Sequence, residues 1–214
     1  MKVARAEVEV NLVKERILDS ALDIIVTEGL SALTMRRLAK SIDMAASNIY
    51  NYYANKDEIY ITLMIKGFRQ LIADLQSVLS EGTDPLIHAR KCIQTYLDFG
   101  ISNNRYYEIM FSSSTPKYRD YLGTEQEALS AQEHAVSMEL AELSLGLLGR
   151  LAQANGKSLS AQNGKLIFTS IWSLLHGMVS LHNSQNIAYV VDDSATVYAA
   201  IIEHLITQIE QRVA

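Results

Sequence analysis

Apolar residues recur every three or four positions along almost the whole chain, the period of helices rather than strands. Between Leu12 and Glu28, Val13, Ile17, Ala21 and Ile24 form one stripe, with Leu18, Leu22 and Ile25 beside it. This predicts a helix buried along one face, stopped by Gly29 in a left-handed conformation. Residues 1–10 mix charges and lack a full stripe, so they are expected to form a flexible arm. Thr34 is placed as the N-cap of a short helix to about Ser41, with Met35, Leu38, Ala39 and Ile42 turned inward. Asp43-Met44-Ala45 reads as a tight connection, and a second short helix is expected from about Ala46 to Tyr52. Asn55 followed by Glu58 has capping-box spacing and opens a helix to about Ser80.

Gly82-Thr83-Asp84-Pro85 breaks the chain and restarts it, with Asp84 as N-cap and Pro85 as first helical residue. A helix to about Ser102 follows, then a short aromatic one from Asn104 to Phe111. Ser112 to Gly123 reads as a loop. Glu125 to about Asn155, Ser158 to His182 and Ser194 to Arg212 read as three long helices. No strand pattern emerges, and 2 Pro and 10 Gly are too few punctuators for many short strands. The predicted fold is all-α with about nine helices.

Two short helices joined by a three-residue turn, lying on a preceding amphipathic helix, have the form of a helix-turn-helix. Ala39 is small where the pair must approach, and Ile42, Met44 and Ile49 supply the wedge between them. The outward set of the second helix is Ala46, Ser47, Tyr50, Asn51 and Tyr52. Such groups donate to phosphate oxygens or read base edges, and an Asn can pair with adenine through two hydrogen bonds. Arg36, Arg37, Lys40 and Lys56 frame them, Lys56 at a helix N-terminus that itself favours anions.

Residues 12–66 resemble the N-terminal domain of the TetR family of transcriptional regulators. The most specific parts are "EGL" before Thr34, the Leu38-Ala39 pair and "IYNYYANKDEI". Ile49, Tyr50, Asn51, Tyr52, Tyr53 and Lys56 match the family motif in order. The resemblance implies DNA contacts by Thr34, Ser47, Tyr50, Asn51, Tyr52 and Lys56, with Tyr53 in the core; Ala46, Arg36 and Arg37 complete the candidate DNA-binding set. Two positions depart from the pattern. Asp43 stands where the family commonly has Gly, and Ala45 where it often has a Ser or Thr cap, a bond worth about 0.5–2 kcal/mol. The domain reading is residues 1–55 for DNA binding and 56–214 for effector binding and dimerisation.

The second part resembles the family more weakly. Trp172, His176 and Gly177 look like a Trp-His-Gly signature of one group of its C-terminal domains. They either wall an effector pocket or simply pack, with Gly177 allowing close helix approach, and packing is preferred. Candidate ligand-binding residues are Tyr96, Phe99, Tyr107, Met110, Phe111, Met138, Trp172 and His176. No charged cluster accompanies them, so the expected effector is a small apolar or weakly polar compound. The last two helices carry more apolar surface than one core face needs, which marks a partner surface. Ile171, Leu174, Leu175, Met178, Tyr198, Ile202, Leu205 and Ile209 are assigned to a homodimer interface, with position 167 left unassigned. A two-fold dimer reads a pseudo-palindromic double-stranded operator with half-sites about one helical turn apart, roughly 34–36 Å.

The chain is 214 residues long with a net charge of −5, which at first argues against nucleic acid. The distribution removes the objection. Residues 1–66 hold nine basic and nine acidic side chains, and Thr34–Lys56 hold four basic against one acidic. The single Cys92 excludes an internal disulfide and fits a reducing, cytoplasmic setting. No membrane span, metal-ligand spacing, phosphate loop or nucleophile–base pair is found, so neither catalysis, a cofactor nor a metal is expected. "GLLG" at 146–149 reads as a packing feature within a helix. The functional expectation is a ligand-responsive dimeric repressor. The alternatives are a regulator of the same fold controlled by a protein partner, and an all-α binding protein without a DNA role.

Overall fold

The computed structural model describes residues 2–80, 82, 84–112 and 114–213, with side chains from residue 7 onward except at 112 and 213. Thr83 of the predicted break and residue 113 of the predicted loop lie outside the described residues. Among these residues there are helices and no strands, as the 3–4 periodicity predicts. In chain order they are α1 (Lys2–Glu28), α2 (Met35–Ser41), α3 (Ala46–Ile49), α4 (Lys56–Leu79), α5 (Pro85–Ser102), α6 (Asn104–Tyr107), α7 (Glu127–Ala154), α8 (Ala161–Asn183) and α9 (Ser194–Val213).

Two expectations about element limits are corrected. Residues 2–10, read as a flexible arm, are the first turns of α1. Lys, Ala, Arg and Glu form helix readily without an apolar stripe to bury, and Val8, Val10 and Leu12 stay exposed there. The second helix of the pair, expected to reach Tyr52, has only four α-helical residues, Ala46–Ile49, and turns carry the chain on. Capping follows the sequence closely elsewhere. Asp84 accepts from the amides of Leu86 and Ile87, and Ser160 caps α8 by accepting from Asn163 N. Gly29, which closes α1, has φ +85°.

The chain packs as two compact units, residues 1–68 with 105–137, and residues 69–104 with 138–214. The first is built on the inner face of α1, where Ile17, Leu18, Ala21, Leu22, Ile24 and Ile25 are buried with Leu38, Ala39, Ile49, Ile59 and Leu63. Segment 105–121 packs on the same unit. It runs from α6 into a π-helical turn at Glu108–Ser112 that lies on α1. Phe111 meets Phe68 edge-on at 5.6 Å, and Tyr60 donates to Thr115 Oγ1 at 2.5 Å. Gly67 makes this seat possible: a Cβ there would stand 2.6 Å from Met110 Sδ and 3.0 Å from Tyr106 Cδ1.

In the second unit α8 packs on α5 and α9. Tyr198 donates to the Met178 carbonyl at 3.0 Å, and Asn183 Nδ2 to the Gly100 carbonyl at 3.0 Å. The α7 glycines are not the packing feature expected of "GLLG": a Cβ at Gly146 or Gly149 would meet nothing within 4 Å. The two kinds of helical glycine should therefore respond oppositely to alanine. Gly149→Ala should stabilise the protein by about 0.5–1 kcal/mol through helix propensity alone. Gly67→Ala should destabilise it by about 1–2 kcal/mol, because overpacking against buried Met110 outweighs the propensity gain. Chemical denaturation of both variants measures the difference.

Candidate nucleic-acid interface

Thr34 sits in extended backbone ahead of α2, and its Oγ1 accepts from Arg37 N at 3.2 Å, the predicted cap. After Ser41 the chain reverses through Asp43, whose φ of +54° lies in the left-handed region that favours Gly. An Asp tolerates this conformation better than most residues. Met44 N then returns to the Ala39 carbonyl at 2.8 Å, where the small buried Ala39 lets the helices approach. Ala45 occupies the cap position of α3 with no side-chain bond, leaving that helix start uncapped.

Only Ile49 of α3 is buried, so it anchors the segment and fixes what faces outward. Ser47, Tyr50 and Asn51 are exposed, Tyr50 by 56%. Ala46 and Tyr52 are half-buried, Tyr52 in the turn after α3, where its N–H donates to the Ile49 carbonyl at 2.8 Å. Asn48, absent from the sequence-derived set, is exposed beside Ser47. Its position one residue from the Ile49 anchor, mirrored by Tyr50, was the signal available for it. Tyr53 is buried, as expected, with the Lys14 ammonium 5.9 Å from its ring centre. Burial first, then the Glu15 and Glu58 carboxylates, push its phenol up to about 12, so it stays neutral.

Lys56 opens α4, whose start is fixed twice. Asn55 Oδ1 accepts from Glu58 N at 2.9 Å, and Glu58 Oε2 accepts from Ala54 N at 2.6 Å. Lys56 is half-buried at this N-terminus, while Arg36 and Lys40 project from exposed positions on α2. Arg37 is also exposed but pairs with Glu28, so its charge is already engaged within the fold. The structure thus brings Arg36, Lys40, Ser47, Tyr50, Asn51 and Lys56 onto the helix-turn-helix and its two borders.

The other candidate residues fall into separate places. Tyr107, Met110 and Phe111 belong to the first unit, Tyr107 and Met110 being buried there. Tyr96, Phe99, Met138, Trp172 and His176 belong to the second, so the eight do not form one cluster within a unit. Tyr96 and Phe99 are buried, whereas Met138 is 46% exposed. Trp172 is 39% exposed; its indole N–H donates to Tyr96 Oη at 3.1 Å and its ring stacks on Phe168. Of the assigned interface residues, Leu175, Met178, Tyr198, Ile202, Leu205 and Ile209 are buried by the chain's own packing. Leu174 stays exposed, and so do Leu166 and Leu181 on the same helix.

Residues 17–63 match the profile of bacterial regulatory proteins of the tetR family, and residues 89–205 that of the tetracyclin repressor-like C-terminal domain. The second match alone spans more than half of the chain. The chain belongs to the TetR family. It is a DNA-binding transcriptional regulator. An uncharacterized HTH-type transcriptional regulator from the dhlA 5′ region of Xanthobacter autotrophicus is 28% identical over 148 residues, covering 67% of this chain and 69% of that protein. A tetR-family regulatory protein from Rhodococcus RHA1 has the same fold, with TM-score 0.72 and 15% identity over 92% of this chain and 96% of that one. FadR from Bacillus subtilis, solved with stearoyl-CoA, gives TM-score 0.68 and 17% identity over 90% and 97% of the two chains. Among the described residues of this TetR-family chain, no helix is long and apolar enough to cross a membrane, and no group of three or more His, Cys, Asp or Glu could hold a metal ion.

The uncapped start of α3 gives a direct test of the local energetics. Ala45→Ser should stabilise the protein by about 0.5–1 kcal/mol, and Thr34→Ala should destabilise it by about 0.5–2 kcal/mol. Urea midpoints read at constant slope separate these from changes in the unfolded state.

Proposed function

We propose that the protein is a ligand-responsive repressor that binds a pseudo-palindromic operator as a cytoplasmic homodimer. The observation that carries the DNA-contact assignment is the row of exposed polar side chains on the segment anchored by Ile49, with Lys56 at the start of a 24-residue helix. Ser47, Asn48, Tyr50 and Asn51 reach for base edges and phosphates, and Thr34, Arg36, Lys40 and Lys56 hold the backbone. Ala46 and Tyr52 border the contact, and Arg37 contributes through the pose of α2 rather than as a free cation. Residues 1–55 are the DNA-binding part and 56–214 the effector and dimer part.

Dimerisation uses the open face of α8, with Leu166, Ile171, Leu174 and Leu181. The buried residues assigned from sequence, Leu175, Met178, Tyr198, Ile202, Leu205 and Ile209, support that face from behind. The effector is an apolar or weakly polar compound. Support comes from the aromatic and thioether side chains Tyr96, Phe99, Met138 and Trp172 in the second unit, with His176 as a polar handle. The structurally similar FadR was solved with stearoyl-CoA, a molecule with a long apolar chain. Tyr107, Met110 and Phe111 act from the first unit, in its packing. Effector binding shifts the dimer towards a spacing of recognition helices that no longer fits one face of the duplex.

A mobility-shift titration on the DNA flanking the gene, at low and at higher salt, tests the contacts. Lys56→Ala should weaken binding to every sequence and flatten the salt dependence. Asn51→Ala should cost about 1–3 kcal/mol at the cognate site and relax one base position. Binding that is absent at both salt levels, or unaltered by Lys56→Ala and Tyr50→Phe together, overturns the assignment.

A further inference from the structure

A polar stripe on α1 links the C-terminal end of α2, which leads into the recognition helix α3, to a residue far away in sequence. Arg16, Asp19, Ser20 and Asp23 are spaced by three or four positions and so share one side of the helix. At one end of the stripe, Arg16 Nη2 donates to the Ile42 carbonyl at 3.1 Å. Beside it, Ser20 Oγ and Ser41 Oγ are 2.5 Å apart. Both partners sit at the C-terminal end of α2, immediately before Asp43 turns the chain into α3. At the other end, Arg105 Nη2 donates to the Asp19 carbonyl at 3.0 Å and lies 2.6 Å from Asp23 Oδ1. The same segment is held from behind by the contact at Gly67 and by the π-helical turn on α1.

We infer that Arg105 is a positioning residue for DNA recognition. It holds α1 through Asp19 and Asp23, and α1 in turn fixes the end of α2 from which the recognition helix hangs. The inference rests on the DNA contacts proposed above. Its role is pose rather than stability. The Arg105 and Asp23 side chains are 41% and 66% exposed, and pairs so open to water add little to folding. A change of angle at the root of α3, by contrast, displaces every base-reading atom together, while phosphate contacts along a flexible duplex adjust. Loss of Arg105 should therefore reduce discrimination between sequences more than it reduces attraction to DNA in general.

The test uses the full-length protein, Arg105→Ala, Arg105→Lys, Asp23→Asn, and the Arg105→Ala/Asp23→Asn double variant. Each is titrated by fluorescence anisotropy with labelled DNA from upstream of the gene, and with unrelated DNA of equal length and base composition. Arg105→Ala should bind the upstream DNA about five- to twentyfold more weakly, and the double variant should match it, since Asp23 acts on the pose through Arg105. Affinity for unrelated DNA should stay within about twofold, and Arg105→Lys, which keeps the charge but not the fork, should fall between. Melting temperatures are read alongside; if Arg105→Ala does not fold, Asp23→Asn decides the matter on the same two DNAs. Wild-type affinity for the upstream DNA, equal losses on both DNAs, or losses that add in the double variant would overturn the inference. Lys56→Ala, run in parallel, separates the cases: if it too binds as wild type, the contact assignment fails rather than the role of Arg105.

Discussion

Burial of one face of α1 is the constraint on which the DNA-binding part depends. α2 has seven residues and α3 four, far too few for helices that persist alone in water. They exist because Leu38 and Ala39 of α2, which packs on α1, and Ile49 of α3, which packs on α2, are buried in one core with the α1 stripe from Ile17 to Ile25. Each fully buried Leu or Ile in that contact contributes roughly 1.5–3 kcal/mol. The Thr34 cap and the Asp43 turn act on a smaller scale and choose the direction of the chain rather than whether it folds. This is why the missing cap at Ala45 and the unusual Asp43 are tolerated: the hydrophobic contact carries α3 even with an imperfect start.

The same physics explains which features were legible in the sequence. Caps, turn residues and the single-faced stripe of α1 are encoded within a few positions, so Thr34, Asp43, Asp84 and the order of helices could be read directly. The end of α3 could not, because nothing in Tyr50-Asn51-Tyr52 marks a stop; tertiary anchoring of Ile49 and Tyr53 sets it. The start of α1 was hidden for the opposite reason, since its first turns need no buried stripe. Asn48 adjoins the buried Ile49 in sequence, and helical spacing alone does not show that it faces outward.

Where two apolar faces share a helix, a single sequence does not separate core from partner surface. On α8, Leu175 and Met178 face inward while Leu166, Leu174 and Leu181 face outward, and each set by itself follows helical spacing. Glycines posed a similar ambiguity. Gly67 and Gly149 both interrupt helical patterns, yet one is a seat for Met110 and the other adjoins open space. Apart from Trp172 and His176, which belong to the Trp-His-Gly signature, the candidate ligand residues share only their aromatic or thioether type. The set divides between the two units because aromatic and thioether side chains serve ordinary packing as readily as they serve a pocket.

Trp172 is the chain's one tryptophan. All of the protein's indole emission therefore originates on α8, in the second unit, and none in the helix-turn-helix. Its N–H is held by the Tyr96 hydroxyl, its ring is stacked on Phe168 and about two-fifths of its surface meets solvent. That combination of a fixed orientation and a partly wet ring makes the colour and intensity of the emission sensitive to whatever touches this side of the helix. The molecule carries its own optical label at a single, known address, distant in sequence from the residues assigned to DNA.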